Sequence, residues 1–151
     1  MATFQKELFT DYIDDALPLL LDHWSELALY QDKVPLNIDY EKYQQLEDLG
    51  VLHIYTAREE GYLVGYCVMM VNTNLHYKDH KYALNDVIYV DPRSRNKGLG
   101  RDLIQFTEEE LGKEGVSVVM INTKNHRPFD GLLEKEGYIL QDKLFSKYIG
   151  V

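Results

Sequence analysis

The feature that most constrains how this chain folds is one stretch, Leu84 to Leu111. In it an apolar run, a basic turn with two glycines and an amphipathic segment follow one another without a break. Leu84, Val87, Ile88, Tyr89 and Val90 are aliphatic, β-branched or aromatic, the composition of a buried strand. Asp91-Pro92 ends that strand, because proline offers no amide hydrogen and pushes its predecessor out of helical geometry. From Leu99 onward, Leu103, Ile104, Phe106 and Leu111 return at helical spacing. Between strand and helix stand Arg93, Arg95, Lys97, Gly98, Gly100 and Arg101. Glycines at a helix start let the backbone come close to a ligand. The unpaired amide hydrogens of the first turn, with the helix dipole, favour an anion there. Four basic side chains within nine residues add to that field. Two readings stay open on physical grounds: a cradle for a phosphate or pyrophosphate, and an ordinary strand-to-helix turn with a solvated basic face. A P-loop does not fit, because Lys97 precedes Gly98; a dinucleotide fingerprint does not fit, because Leu103 stands where a third glycine is needed.

Arg95-Asn96-Lys97-Gly98-Leu99-Gly100, followed by Leu103 and preceded by a strand ending in Val90-Asp91-Pro92, resembles the Arg-x-x-Gly-x-Gly signature of the GNAT superfamily of acetyl-CoA-dependent N-acetyltransferases. The resemblance implies an α/β fold, with a mixed central sheet of about six to seven strands, about four helices, and two strands splayed at the coenzyme A site. It implies that Arg95, Asn96, Lys97, Gly98, Leu99, Gly100 and Arg101 hold the pyrophosphate of acetyl-CoA, largely through main-chain N–H groups. The pantetheine arm is expected on the exposed strand edge at Ile88, Tyr89 and Val90, pairing as an added strand would. A backbone N–H near Val90 would meet the developing oxyanion.

At 151 residues the chain suits one domain, 1–151, with a sizeable core, and no Pro/Gly/Ser-rich linker, repeat or low-complexity run interrupts it. Its single cysteine, Cys67, excludes an internal disulfide and a cysteine-based zinc site. The histidines form no HExxH motif, so no metal is expected. The start lacks a signal-peptide core and no apolar run is long enough to span a bilayer, so the expectation is a soluble cytoplasmic protein with no membrane partner. A net charge of −9 argues against nucleic-acid binding and suits a cationic acceptor such as an amine.

Along the chain, Phe4–Leu8 reads as a first strand. A helix is expected from Asp11 to about Tyr30, broken or kinked at Pro18. Asp39 is placed to cap a helix over Tyr40–Asp48 that ends at Gly50. Val51–Arg58 and Tyr62–Val71 read as a hairpin around Glu59-Glu60-Gly61, its second strand apolar on both faces. Asn72–Lys81 reads as a polar loop carrying His76, Tyr77 and His80. After the signature helix, Val116–Asn122 is expected as a strand, Asn125–Glu136 as a helix, and Tyr138–Tyr148 as one or two closing strands.

Asp86 is the sharpest anomaly, since a carboxylate in an apolar strand costs free energy unless it is paired, neutralised or functional. A working base and a strand-end residue at the solvent edge both remain open. Alternation would put Asp86 on one face with Ile88 and Val90, and Asn85, Val87 and Tyr89 on the other. In GNAT relatives a base sits on this strand four or six residues before the closing valine; Asp86 occupies the first position and Leu84 the second. The first two helices and their connection line the acceptor pocket in that family, which implies His23, Tyr40 and Tyr43. Leu132-Leu133-Glu134-Lys135-Glu136-Gly137-Tyr138 resembles the family's Leu-Tyr-x-x-x-Gly-Phe, with Leu133 in place of the tyrosine that protonates the departing thiolate. Tyr138, Tyr148 and Tyr89 are the alternative donors. His-Trp-x-Glu at 23–26, Leu-Val-Gly-Tyr at 63–66, Leu-His-Tyr at 75–77 and Asp86 also resemble short GNAT-like proteins of bacteriophages and prophages. That likeness implies an acceptor-side cluster of His23, Glu26, His76, Tyr77 and Asp86, with Asp86, His76 and Tyr77 as catalytic candidates. The function implied is acetyl transfer from acetyl-CoA to the primary amine of a small molecule or protein by direct attack. The alternative is a weak or inactive GNAT-fold module that binds CoA or another protein. A homodimer is compatible with either.

Overall fold

The computed structural model describes residues 1–95 and 97–150. The chain runs β1 (Ala2–Glu7), α1 (Phe9–Leu27), α2 (Tyr40–Asp48), β2 (Leu52–Glu59), β3 (Tyr62–Asn74), β4 (Tyr77–Val90), a short 3-10 turn (Pro92–Ser94), α3 (Leu99–Lys113), β5 (Val116–Met120) and α4 (Asp130–Lys135). Five strands form one mixed sheet in the order β1-β2-β3-β4-β5. The first three pairings are antiparallel and β4–β5 is parallel. Among the described residues the sheet therefore has five strands, not the six to seven expected. Nor is any described helix long and apolar enough to cross a membrane.

Local chemistry explains most elements. The Asp39 carboxylate accepts from the Lys42 N–H at 2.9 Å and caps α2 as expected. The Leu46 carbonyl accepts from Val51 N at 2.9 Å as the chain leaves that helix. β2 and β3 meet through a two-residue turn in which Glu60 (φ 51°) and Gly61 (φ 83°) are both left-handed, the geometry that matches strand twist. Helix α1 is not broken at Pro18. Pro18 and Asp14, whose carbonyl loses its helical donor to the proline, are both exposed, so water can serve that carbonyl.

The sheet is packed on both faces. Phe9, Tyr12, Ala16 and Leu19 of α1 cover Ile54, Tyr66, Val68 and Tyr89 on one side, with Tyr43 and Leu46 of α2 at the margin. Leu99, Leu103 and Leu111 of α3 cover Tyr55, Cys67, Met69, Val71 and Ala83 on the other. β3, buried from Leu63 to Met69, is the shared wall, as its two-sided apolar pattern predicts.

Two regions depart from expectation. Asn72–Lys81 is no loop: β3 and β4 continue as a two-stranded arm paired at Asn72↔Tyr82 and Thr73↔Lys81, and only Leu75 and His76 make the turn. The arm is largely exposed, so its polar sequence reads as loop although backbone pairing of Asn72 with Tyr82 and Thr73 with Lys81 holds it, with Tyr77 stacked on Tyr82 along β4. At the other end, Tyr138–Tyr148 forms no strand. Ile139-Leu140 and Leu144-Phe145 are adjacent apolar pairs, which send one side chain to each face and leave no one-sided stripe to bury.

Candidate functional site

The site begins where β4 and β5 part. They pair only from Lys81↔Val116 to Leu84↔Met120. Beyond that the Asn85 side-chain carbonyl accepts from Asn122 N at 2.7 Å, and the strands diverge. On its other side β4 stays paired with β3 to its end, where Asp91 N donates to Val64 O at 2.8 Å. Main-chain groups alternate between the two edges of a strand. Ile88 and Val90 therefore turn theirs toward the edge that β5 has left.

The turn to α3 closes the end of this gap. Gly98 is left-handed at φ 75°, and a Cβ there would lie 3.1 Å from the Arg101 guanidinium. Asp102 N donates to Gly98 O at 3.0 Å as the first helical bond, so the amides of Leu99, Gly100 and Arg101 precede it at the positive end of the helix. Gly100 sits against α4: a Cβ there would meet Leu132 Cδ2 at 3.6 Å and Val90 at 4.0 Å. Asn96, expected in this loop, lies outside the described residues.

The basic side chains contribute less positive field than their number suggests. Arg93 is paired with Asp91 at 2.6 Å and Arg101 with Asp102 at 3.0 Å. Arg95 forks onto Glu26 of α1 at 3.0 and 3.1 Å, donates from Nε to Val90 O at 2.9 Å, and lies 5.0 Å over the Tyr89 ring. Hydrogen bonding between the pair holds the Glu26 carboxyl below its ordinary range and raises Arg95. Lys97 is exposed at the loop tip. An anion here meets main-chain amides and Lys97, while Arg95 works as a buckle between loop, β4 and α1.

Around that buckle α1 brings a compact polar-aromatic group to the sheet. His23 Nδ1 is 2.9 Å from the Tyr66 hydroxyl, and its ring stacks on Tyr89 with centroids 4.6 Å apart. The Tyr89 hydroxyl donates to Glu26 at 3.2 Å. Burial pushes His23 down to about 4, so it is neutral at physiological pH, and pushes Tyr89 up to about 12. The expected pair His23 and Glu26 thus comes together on one helix turn. Tyr66 is not among the site residues expected from sequence; its signals are its place in Leu-Val-Gly-Tyr at 63–66 and a hydroxyl amid an apolar central strand.

Asp86 sits at an irregularity of β4. Met69 pairs with Asn85 and Val68 with Val87, leaving Asp86 as the inserted residue of a bulge. The extra residue shifts the alternation. Ile88 and Val90 pack toward α3, and Asp86 turns to the α1–α2 side instead of joining them as strict alternation requires. There the Tyr43 hydroxyl donates to its carboxylate, and Tyr43 is itself stacked on Phe9 at 5.4 Å. Burial and this bond raise the Tyr43 hydroxyl well above its ordinary value. Tyr40 is exposed beside Phe9, with centroids 6.4 Å apart. His76 and Tyr77 are not brought to this group: Tyr77 starts β4 nine positions from Asp86, about 30 Å at strand rise, and His76 lies in the turn before it. Leu133 is buried in α4, and Tyr138 donates to Glu108 at 2.6 Å. Tyr148 lies against Tyr30 and under Lys33. Among the described residues no group of His, Cys, Asp and Glu could hold a metal.

A family model described as the acetyltransferase (GNAT) family matches residues 11–137. No curated protein matches the sequence. Among solved structures, the chain is similar to an aminoglycoside acetyltransferase from an uncultured soil metagenomic sample, in complex with sisomicin, at 15% identity and TM-score 0.75, covering 99% of this chain and 96% of that one. It is similar to the glucosamine-6-phosphate N-acetyltransferase of Arabidopsis thaliana at 19% identity and TM-score 0.73, covering 99% of each. A predicted acetyltransferase with acetyl-CoA from Clostridium acetobutylicum aligns at 13% identity and TM-score 0.71, over 99% of this chain and 97% of that one. At these identities the likeness is one of fold.

Proposed function

Because the chain belongs to the acetyltransferase (GNAT) family, we propose that it is an acetyl-CoA-dependent N-acetyltransferase acting on a primary amine by direct attack. The observation that carries this is the parting of β4 from β5 beside the α3 N-terminus, an open strand edge leading to a ring of free amides. Acetyl-CoA, the donor used by this family, supplies an activated acetyl group as a thioester. In this reading Lys97 and the amides of Leu99, Gly100 and Arg101 hold its pyrophosphate, and the Ile88 and Val90 edge aligns its arm. The N–C bond forms as the C–S bond breaks; the amine loses one proton and the thiol regains one.

Removing a proton from an alkylamine of pKa about 10.4 at neutral pH costs roughly 4–5 kcal/mol. In this reading Asp86 accepts it, a role supported by the Tyr43 hydroxyl that donates to its carboxylate and orients it. His23, Glu26 and Arg95 fix α1 on the acceptor side. The kinship with short phage and prophage proteins, carried by His-Trp-x-Glu at 23–26, Leu-Val-Gly-Tyr at 63–66, Leu-His-Tyr at 75–77 and Asp86, belongs to the same proposal. Buried Leu133 favours a second reading, a CoA-binding module without turnover, since it has no proton to give. Calorimetric titration with acetyl-CoA and with CoA tests the first step. Micromolar binding that disappears in Gly100→Trp is expected, because the indole would fill the space between the loop, Leu132 and Val90. A folded sample that binds neither ligand rejects the enzyme; binding without acetyl-CoA consumption by any amine selects the module.

A further inference from the structure

The end of α1 and the connection to α2 enclose an open hollow of about 460 Å³. Its wall is mainly Trp24, Leu29, Tyr30, Val34 and Leu36, and Lys124 lines it too. The wall is built, not incidental. Gln31 Nε2 donates to the carbonyls of Trp24, Ser25 and Ala28 at 3.0–3.3 Å, folding the connection back on the helix end. Tyr30 takes a left-handed φ of 56° and accepts from Lys33 N and Val34 N, which turns Val34 toward the hollow. The Tyr30 hydroxyl, 3.1 Å from Ser146 Oγ, ties the C-terminal segment to the same wall. Leu29 and Val34 are each 51% exposed, so apolar surface stands uncovered here.

The charge of this hollow opposes that of the molecule. The chain carries 25 acidic residues, yet among the described residues none lines it, and Lys124 is the one charged side chain there. Trp24 follows His23 on α1, and Lys124, which lines the hollow, also bears on His23 against a larger, opposite effect of Glu26. A polycation such as a polyamine or aminoglycoside would find no carboxylate to pair with and one cation to repel it.

We infer that the hollow receives the acceptor, and that the acceptor is an amine with an apolar or aromatic body and a carboxylate, the chemistry of an apolar α-amino acid. The apolar body covers Trp24, Leu29 and Val34, the carboxylate meets Lys124, and the amino group is left toward the β4 edge. The inference rests on the acetyltransferase reading for what happens next: the amine nitrogen gains the acetyl group and loses its proton, and the donor sulfur leaves as thiol.

Trp24 is the one tryptophan of the chain, so its emission reports occupancy without turnover. The full chain is titrated with L-phenylalanine, L-phenylalaninamide, spermidine and tobramycin, exciting tryptophan selectively. A saturable change is expected with phenylalanine. About five- to tenfold weaker binding is expected for the amide, which lacks the carboxylate. In Lys124→Gln that gap should close, with the emission of the free protein unchanged. Spermidine or tobramycin saturating the signal at or below the phenylalanine concentration overturns the inference, as does equal binding of acid and amide, or no change with any probe. Calorimetry with acetyl-CoA on the same sample separates the two readings: donor binding with an unresponsive Trp24 sinks the acceptor class alone, and absent donor binding sinks the enzyme whatever Trp24 reports.

Discussion

The two faces of the sheet bury similar numbers of side chains in different chemistry. Against α3 the sheet presents mainly Ala, Val, Cys and Met with one tyrosine, Tyr55, and the helix answers mainly with leucines. Against α1 and α2 it presents Tyr66 and Tyr89, and the helices answer with Tyr12, Tyr43, His23 and Glu26. Three of the hydroxyls brought in on that side have partners, and an unpaired buried polar group costs about 1–3 kcal/mol. Tyr66 has His23, Tyr89 has Glu26, and Tyr43 has Asp86. The α3 face serves stability; the α1–α2 face holds polar groups at fixed positions beside an open strand edge.

Substitutions that separate the faces should separate stability from turnover. The largest effect is expected from Leu103→Ala, which empties a fully buried position under α3. It should lower unfolding free energy by about 2–5 kcal/mol in urea titration, with the apparent affinity of the remaining folded protein for acetyl-CoA changed far less.

Acidification should act mainly through the other face. His23 is held neutral, its folded value near 4 against an ordinary 6.5. The unfolded chain therefore takes up its proton first as pH falls. Stability is full above about pH 6.5 and declines toward pH 4, on the order of 3 kcal/mol in all. His53, lowered mainly by burial, adds to the same slope. Glu26 and Asp91, whose carboxyls are lowered by their arginine partners, add a loss that begins near their unfolded values, about 4.5 and 3.8, and continues below. Denaturation midpoints across this range should show a shallower slope in His23→Phe; an unchanged slope would mean His23 is not held neutral.

Asp86→Asn keeps the shape of the Tyr43 contact and removes a base. Steady-state rates should fall on the order of 10–100-fold in kcat, with acetyl-CoA affinity retained and unfolding free energy within about 1 kcal/mol of the parent. A fall in melting temperature without a fall in kcat would assign Asp86 to structure. Tyr43→Phe should have the smallest effect, a few-fold in kcat and about 1 kcal/mol in stability.

How much of this was legible beforehand follows from the range of the forces involved. The Asp39 cap, the Glu60-Gly61 turn and the strand–turn–helix at 84–111 are set by neighbours within a few residues, and the sequence determined each. The two-sided burial of β3 was also readable, because its apolar pattern is continuous. The arm at 72–82 was not, because cross-strand pairing in solvent leaves no apolar stripe. The bulge that turns Asp86 toward Tyr43 arises from register against β3, which no local pattern encodes.

The turn into α3 shows the same division. Its glycines and helix start are local and were readable in Gly98, Leu99 and Gly100. That Arg95 is engaged by Glu26, 69 residues earlier, was decided only when α1 packed across β4. Sequence sets which groups can pair; burial against a common wall decides which of them do, because only there does leaving a charge or hydroxyl unpaired carry a large cost.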